Sequence, residues 1–330
     1  MIIFLRAETY ANDSRVALVP ADVAILVGLG HTIYVESSKT RAFYNLEFEA
    51  AGAILTDEPW YAQPYTTFIV GLKELTHLDR LNEHTHVYFS HSYKRQAAAP
   101  MILGAFARSL SILYDLEYFC NPDGSRFLAF GVYAGMVGAV LGLRQVYNRR
   151  LGQADIADLR PWTSYNQMLR FCKPPTFASI AIVGRGRCAK GVRKILDWLG
   201  MDYDLLGRMD PVDPTKYDIL FNCILLDDSY NRTWVRTDHP LPLLIVDISC
   251  DYTKPNNPVP VYKEATSWQT PVHHVSDTLS VIAIDNLPSL LPRESSAEFS
   301  KLLADLLLRY GDAMWRENLV TYNEKIRSIV

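Results

Sequence analysis

Short apolar runs alternate with segments of helical spacing twice along this chain, and no other feature limits the fold as strongly. In the first half the apolar runs are MIIFLRAE, HTIYVES, TTFIVGL, HVYFS and LSILYDLE. In the second half they are ASIAIVG, MDYDLLG, DILFNCILL and LPLLIVDIS. Strands that alternate with helices predict parallel sheets covered by helices. The sequence therefore predicts an α/β protein with two such units.

The length and the connecting segments indicate where the two domains divide. At about 150 residues a domain, 330 residues allow two. A long helix rich in glycine and alanine, over residues 133–148, is predicted to bridge the domains. The final helices, over residues 297–310 and 311–327, are expected to return to the first domain. We predict a substrate domain of residues 1–135 plus 297–330 and a nucleotide-binding domain of residues 136–296.

The charge balance and the cysteines exclude several classes of protein. Lys plus Arg number 33 against 36 Asp plus Glu, so no basic excess favours nucleic acid or an anionic membrane. No apolar run approaches the ~18 residues of a membrane span, and the apolar opening meets Arg6 too soon for a signal peptide. The five cysteines lack metal-ligand spacing. We expect a cytoplasmic protein without a metal, its oligomeric state left open, a monomer included.

A glycine-rich loop in the second half predicts a dinucleotide site. In SIAIVGRGRCAKGVRKIL, Gly184, Gly186 and Ala189 form the pattern G-x-G-x-x-A between a predicted strand and helix. Glycine allows the tight turn and the close approach of a pyrophosphate, which the helix N-terminus then binds. Asp204, placed at the end of the next strand, would accept bonds from ribose hydroxyls and favours NAD by repelling a 2′-phosphate. Arg208 leaves NADP open.

Two proton carriers follow buried strands in the first half. Lys73 closes the run TTFIVGL, and His91 closes HVYFS. If those strands are parallel neighbours, both side chains emerge at the carboxyl edge of the sheet, where open α/β sheets bind ligands. Taken singly, each residue is as well explained by a solvated strand end. The trio His84, His86 and His91 lacks a carboxylate or cysteine to complete a metal set.

Several stretches resemble a known superfamily. RAETYANDSRVALVP, GHTIYVE and EFEAAGA are similar to the alanine dehydrogenase and transhydrogenase superfamily. The more specific stretches are GLKE, FSHSYKRQ, YDLE, RFLAFG, FNC, DISCDYTKPNNPVPVY and IDNLPSLLPRESS, which look like its NAD-dependent, lysine-forming saccharopine dehydrogenase branch. The resemblance covers almost the whole chain in order. It implies two Rossmann-like domains with a cleft between them, and the reversible oxidation of saccharopine with NAD and water to lysine and 2-oxoglutarate.

The resemblance also implies roles for single residues. Lys73 takes the proton from the substrate amine, and His91 serves the hydration and breakdown of the imine. Arg15 and Arg126 match positions that bind substrate carboxylates, because the arginine fork makes two parallel hydrogen bonds. Lys94 holds either a carboxylate or the orientation of His91. The remaining implied residues are Glu74 and Glu117 for substrate amines, Phe130 for the pocket wall, and Arg187, Cys188, Cys223, Asp247, Asp251 and Asp285 on the cofactor side.

Departures from the family pattern keep the substrate open. The glycine loop is one residue shorter before GRC, and the segment around VHHVSDTL is also shortened. A trimmed cleft would accept a different amine or oxo acid. The alternatives are therefore an alanine dehydrogenase-like or other opine-type amino-acid dehydrogenase, and a cofactor-binding regulatory module without turnover. Two arginines and two acidic residues favour a larger, double-ended substrate over the first, and the presence of both Lys73 and His91 argues against the second.

Overall fold

The computed structural model describes residues 1–93, 97–227 and 229–328. It divides into two compact units, Met1–Ala129 with Pro292–Val330 and Phe130–Leu291. The strands are β1 Ile2–Leu5, β2 Thr32–Glu36, β3 Ile54–Thr56, β4 Phe68–Val70, β5 Thr85–Tyr88, β6 Ile112–Asp115, β7 Ile180–Val183, β8 Asp204–Leu206, β9 Ile219–Asn222, β10 Leu243–Asp247, β11 His273–His274 and β12 Leu279–Ile282. The helices are α1 Pro20–Gly28, α2 Asn45–Ala50, α3 Ala99–Ser109, α4 Gly131–Arg150, α5 Tyr165–Phe171, α6 Arg187–Leu199, α7 Pro292–Leu308 and α8 Ala313–Arg327.

The first unit is built on a parallel sheet with the strand order β3-β2-β1-β4-β5-β6. The chain winds outward in one direction from β1 to β3 and in the other from β4 to β6. The order therefore reverses between β1 and β4, and such a switch point leaves a crevice at the carboxyl ends of the strands. The run ILT of β3 escaped the sequence analysis because it is three residues long and only half-buried.

The C-terminal helices pack on this first sheet. In α7, the hydroxyls of Ser296 and Ser300 accept hydrogen bonds from the backbone N–H groups of Val16 (3.0 Å) and Val19 (2.8 Å). In α8, the side-chain amide of Asn318 donates to the carbonyl of Asp115 at 2.9 Å. These buried bonds join the end of the chain to the segment before α1 and to the end of β6, so the unit is discontinuous in sequence.

The second unit repeats the architecture. Its sheet has the order β11-β12-β10-β9-β7-β8, parallel except for the short β11, which runs antiparallel to β12. The reversal of order lies between β7 and β9, at the loop that follows β7. The predicted α/β class with two parallel sheets is confirmed. Within the described ranges, no helix is long and apolar enough to cross a membrane.

Helix α4 is a core element of the second unit. A Cβ added at Gly135 would lie 1.9 Å from the carbonyl oxygen of Cys188, and one added at Gly191 would lie 1.9 Å from that of Val132. Each helix thus places a glycine against a backbone carbonyl of the other. This reciprocal contact assigns α4 to the second unit, so the two units divide at 129/130 and 291/292, a few residues before the predicted boundaries.

A methyl group at this contact should destabilise the protein. In Gly135→Ala the new Cβ meets a backbone carbonyl that a side-chain rotation cannot relieve, so we expect a loss of about 3 kcal/mol in the free energy of unfolding, measured by urea denaturation. The matched control is Gly28→Ala in α1, where no heavy atom lies within 4 Å of the added Cβ. The control should be neutral or slightly stabilising. Equal urea midpoints for the two variants would contradict the contact.

Candidate active site

The carboxyl edge of the first sheet gathers charged side chains from neighbouring strands. Because the strands run parallel, the residues that follow them emerge on the same side. They are Glu36 at the end of β2, Arg6 and Glu8 after β1, Lys73 and Glu74 after β4, His91 after β5, and Asp115 and Glu117 at the end of β6. The structure therefore brings Lys73 and His91 to one edge, together with carboxylates that the sequence analysis did not select.

A buried ion pair fixes the backbone at Lys73. The carboxylate of Glu8 accepts hydrogen bonds from the N–H groups of Leu72 (2.7 Å) and Lys73 (2.9 Å). The guanidinium of Arg6 donates to the carbonyl of Lys73 and lies 3.5 Å from Glu8. The side chains of Arg6 and Glu8 are only 4% and 5% exposed. The Lys73 ammonium is 4.6 Å from the centre of the Tyr10 ring. Both the N–H and the carbonyl of Lys73 are thus hydrogen-bonded by buried side chains, which fixes the loop on which it lies.

The loop of His91 runs beside the loop of Lys73. The N–H of Phe89 donates to the carbonyl of Leu72 at 3.2 Å, which extends the pairing of β4 and β5 beyond the strands. The Nε2 of His91 lies 3.9 Å from Oε1 of Glu74, and both side chains are about half exposed (46% and 48%). The imidazole also stacks on the ring of Phe89. The imidazole of His91 and the carboxylate of Glu74 therefore face solvent side by side.

The two arginines proposed for substrate carboxylates already have acidic partners. Arg15 binds the buried Asp13 with two hydrogen bonds, of 2.9 and 2.6 Å. Burial alone would raise the pKa of the Asp13 carboxyl, but its bonds to Arg15 and the charges of Arg15 and Lys73 hold that pKa below its usual value. Arg126 forms an ion pair with Glu117. Lys94 lies outside the described residues.

The glycine loop of the second unit fits a pyrophosphate. Gly184 has φ +114°, and a Cβ there would lie 2.7 Å from the carbonyl oxygen of Cys223. At Gly186 no heavy atom lies within 4 Å of such a Cβ, so space remains above the loop. Helix α6 begins at Arg187 beside the start of α4, since a Cβ on Gly131 would lie 2.9 Å from that of Arg187. Two helix N-termini, each with a positive dipole end, therefore meet here.

Asp204 is not where the sequence analysis placed it. It is the first residue of β8, in register with Ala181 in the middle of β7, and it accepts a hydrogen bond from the Tyr217 hydroxyl at 2.7 Å. The prediction that it ends the strand was wrong, because the strand is only three residues long and starts at this residue. Asp204 therefore lies away from the glycine loop, and its assignment to the ribose loses its geometric support.

Other charged residues occupy the carboxyl end of β8. Asp210 accepts a hydrogen bond from the N–H of Gly207 at 2.5 Å and lies 3.7 Å from Arg185 of the glycine loop. Arg208 binds Asp227 with two hydrogen bonds, of 2.5 and 2.6 Å. Asp210 is therefore a carboxylate beside the glycine loop, and Asp227 is the partner of Arg208; neither was predicted.

The position of Asp247 also differs from the one predicted, which was in contact with a cofactor. Its carboxylate is fully buried and accepts hydrogen bonds from the side chains of Asn222 (2.8 Å) and Tyr262 (2.7 Å) and from the N–H of Cys250 (3.0 Å). Burial raises the pKa of Asp247 to about 6, although these bonds act in the opposite direction. The residue therefore fastens the loop that follows β10 and is enclosed by protein.

The other residues implied on the cofactor side lie close to strand ends or to the glycine loop. Cys188 and Ala189 are in the first turn of α6, and Cys223 follows β9. Asp251, in the loop after β10, pairs with Lys254 at 2.8 Å, and Asp285 follows β12. In the ranges that the structure describes, no three His, Cys, Asp or Glu side chains are arranged to hold a metal ion. Phe130, implied for the pocket wall, directly precedes α4.

Comparison with known proteins gives a consistent result. Residues 4–137 match the family described as Alanine dehydrogenase/PNT, N-terminal domain. The chain is 33% identical to the saccharopine dehydrogenase (NAD(+), L-lysine-forming) of Candida albicans, over 93% of this chain and 91% of that protein. It is 33% identical to the protein of the same name from Neurospora crassa, over 99% and 97%. A solved L-alanine dehydrogenase covers 100% of both chains with a TM-score of 0.73, and at 16% identity this likeness shows the fold.

The buried carboxyl of Asp247 should make stability depend on pH. Because its folded-state pKa is raised from 3.8 to about 6, the folded protein takes up this proton at a higher pH than the unfolded chain. The stability gained from protonation is complete below about pH 4 and is lost as the pH rises through 6. We expect Asp247→Asn to remove about 2 kcal/mol from the difference in unfolding free energy between pH 4 and pH 7.

The measurement is denaturant unfolding at both pH values. Asp251→Asn is the control, because that carboxylate lies in the same loop but is partly exposed and paired with Lys254. It should leave the pH dependence nearly unchanged. The same pH dependence in Asp247→Asn and in the unaltered protein would refute the assignment.

Proposed function

Since this chain belongs to the family of NAD(+)-type, L-lysine-forming saccharopine dehydrogenases, we propose that it oxidises saccharopine with NAD and water to L-lysine and 2-oxoglutarate, reversibly. The observation that carries the proposal is the similarity to these relatives along nearly the entire chain. The arrangement at the carboxyl edge of the first sheet supports it, because the reaction needs two acid–base groups and Lys73 and His91 emerge there side by side. The partners are thus small-molecule substrates.

Lys73 accepts the proton of the substrate's secondary amine in this proposal. The amine nitrogen has to carry a lone pair before the adjacent carbon can give up a hydride, so a base must act first. Proton transfer requires the base within hydrogen-bond reach, and a base on a mobile loop would rarely be there. The bonds from Glu8 and Arg6 to the peptide groups of Lys73 supply that fixed position.

His91 moves the protons of the hydrolytic half of the reaction. Water adds to the imine carbon, which requires removal of a proton from the water, and the adduct then collapses when the leaving amine receives a proton. An imidazole serves both transfers because it changes charge near neutral pH. The half-exposed position of His91 gives it access to water, and the carboxylate of Glu74 lies 3.9 Å from its Nε2.

The substrate's own charges fit the remaining groups. Saccharopine carries three carboxylates, for which we propose Arg15, Arg126 and Lys94. Its amines are proposed to meet Glu74 and Glu117. The pairing of Arg15 with Asp13 and of Arg126 with Glu117 supports this division, because each guanidinium is held in a fixed orientation before substrate arrives.

The second unit is proposed to bind the cofactor, and the first unit the substrate. NAD supplies the hydride acceptor when bound. Gly184, Gly186 and the start of α6 offer N–H donors and space for a pyrophosphate. The carboxylate of Asp210, in the loop that follows β8, supports NAD over NADP, because it repels a 2′-phosphate.

An NADH-oxidation assay tests the substrate. With 2-oxoglutarate present, we expect lysine to support NADH consumption and ammonia to give at most a small fraction of that rate, because ammonia offers no carboxylate to the basic groups. Consumption with ammonia and pyruvate, and none with lysine and 2-oxoglutarate, would instead establish an alanine dehydrogenase-like activity.

Substitution of the two acid–base groups tests their roles. We expect Lys73→Met and His91→Gln each to lower kcat by about 100-fold or more, while the dissociation constant of NADH, measured by fluorescence, stays within about twofold. The matched controls are Lys301→Met and His273→Gln, which replace the same residue types at exposed positions. Near-normal kcat in Lys73→Met and His91→Gln would remove the proposed roles, whatever the controls show.

A further inference from the structure

His91 has an unusual backbone conformation. Its φ of +49° lies in the left-handed region, where L-residues other than glycine, asparagine and aspartate are uncommon. Such a residue persists only where the surrounding structure holds it, and these positions concentrate at functional sites. The residues on either side of His91 must therefore be held in place by their surroundings.

A buried chain of hydroxyls holds them. The hydroxyls of Ser90 and Ser92, the residues immediately before and after His91, lie 2.6 Å apart. The hydroxyl of Ser90 donates to Oδ2 of Asp115 at 2.6 Å. Ser90, Ser92 and Asp115 are all buried, while His91 between the serines is exposed. Two inward-facing serines, tied to each other and to Asp115, thus flank the outward-facing residue with the left-handed φ.

Asp115 is itself fixed in position. It ends β6 in register with Tyr88, the last residue of β5, so it stands next to the point where the His91 loop begins. Its Oδ1 accepts a hydrogen bond from the N–H of Glu117 at 2.9 Å, and its carbonyl accepts one from the Asn318 side chain at 2.9 Å. Two donors on two different oxygens need a carboxylate, because an asparagine offers only one acceptor oxygen.

Burial of Asp115 carries a cost that its packing role does not explain. Burial raises the pKa of Asp115 to about 6, whereas the bonds from Ser90 and Glu117 and the charge of His91 lower it. A buried carboxylate is expensive compared with an apolar residue of similar volume. The burial is explained by what the carboxylate holds, which is the hydroxyl of Ser90 and the N–H of Glu117.

We propose that Asp115 is a positioning residue for His91: through Ser90 and Ser92 it holds the backbone on both sides of His91 so that the imidazole is presented at the carboxyl edge of the sheet. This inference rests on the proposed role of His91 in turnover. It adds a residue that does not touch substrate and that acts only through another side chain.

A double-mutant cycle on kcat tests it. Asp115→Asn should lower kcat by about 10- to 100-fold, since small misplacements of a reacting group cost that much. In the background of His91→Gln the same substitution should lower kcat by less than twofold, because the group that it positions is already gone. The dissociation constant of NADH should stay within twofold throughout. Equal fold-losses of kcat in the two backgrounds would overturn the proposal.

A matched control separates positioning from stability. Ser300→Ala removes another buried serine that bonds an aspartate, Asp22, in the same unit but outside the Ser90–Ser92–Asp115 chain. It should lower the thermal midpoint about as much as Ser92→Ala. Only Ser92→Ala should lower kcat, by about tenfold, and it also serves if Asp115→Asn does not fold. If Ser92→Ala and Ser300→Ala lower kcat equally, the serine–aspartate chain has only a structural role.

A measurement without substrate keeps this inference distinct from the proposed function. Hydrogen exchange at the amides of residues 89–93 should speed up at least tenfold in Asp115→Asn and remain unchanged in Ser300→Ala. Unchanged exchange in Asp115→Asn overturns the positioning role even if the protein turns over saccharopine. Faster exchange in a protein that does not turn over saccharopine removes the proposed function and leaves the positioning of His91 supported.

Discussion

The candidate site depends on the two hydrogen bonds that the buried carboxylate of Glu8 accepts. At the switch point between β1 and β4, the segments that follow the two strands leave the sheet in different directions. Peptide groups just beyond β4 therefore lack a partner in β1. A buried N–H without an acceptor is costly. Glu8 supplies acceptors for two of these groups, at Leu72 and Lys73, and Arg6 balances its charge. A crevice for a ligand can therefore open here while both of these N–H groups keep a hydrogen-bond acceptor.

The same solution recurs at other strand ends. In each case a buried or half-buried carboxylate accepts a hydrogen bond from a backbone N–H in a loop beyond the sheet, and side-chain donors add further bonds at Asp115 and Asp247. Burial raises the pKa of the carboxylate in three of these positions. The examples are Glu36 with the N–H of Ala7, Asp115 with that of Glu117, and Asp247 with that of Cys250. The loops beyond the strands are thus fixed by carboxylates for which no direct part in the reaction is proposed.

The parts of the site that the sequence predicted follow from strong local patterns. The runs TTFIVGL and HVYFS are apolar and bounded by polar residues, so the position of Lys73 and His91 just beyond two strands could be inferred without knowing the register. The prediction assumed that those strands are parallel neighbours, and the pairing of β4 with β5 in the first sheet meets that condition. Short elements such as β3, β11 and α5 were not predicted, because two to seven residues carry too little periodicity.

Burial was the property that the sequence did not reveal. Asp247 and Asp115 each end an apolar run, and an acidic residue in that position reads as exposed and ready for a ligand. The signal that was available is the letter pattern that follows: DLE and DISC place a backbone N–H two or three residues on, within reach of the carboxylate. The prediction for Asp204 was wrong for another reason. An offset of twenty residues from Gly184 does not determine where a three-residue strand starts.

The reciprocal glycine contact between α4 and α6 gives the second unit a comparable constraint. Because Gly135 lies against Cys188 and Gly191 against Val132, neither helix can shift along the other without moving a backbone carbonyl into a Cα. The starts of the two helices are therefore set together. Phe130 precedes one of them, and the glycine loop at Gly184 and Gly186 precedes the other. The residue proposed to line the substrate pocket and the loop proposed to bind the pyrophosphate are consequently positioned by one helix–helix contact, which explains why glycine is required in both helices.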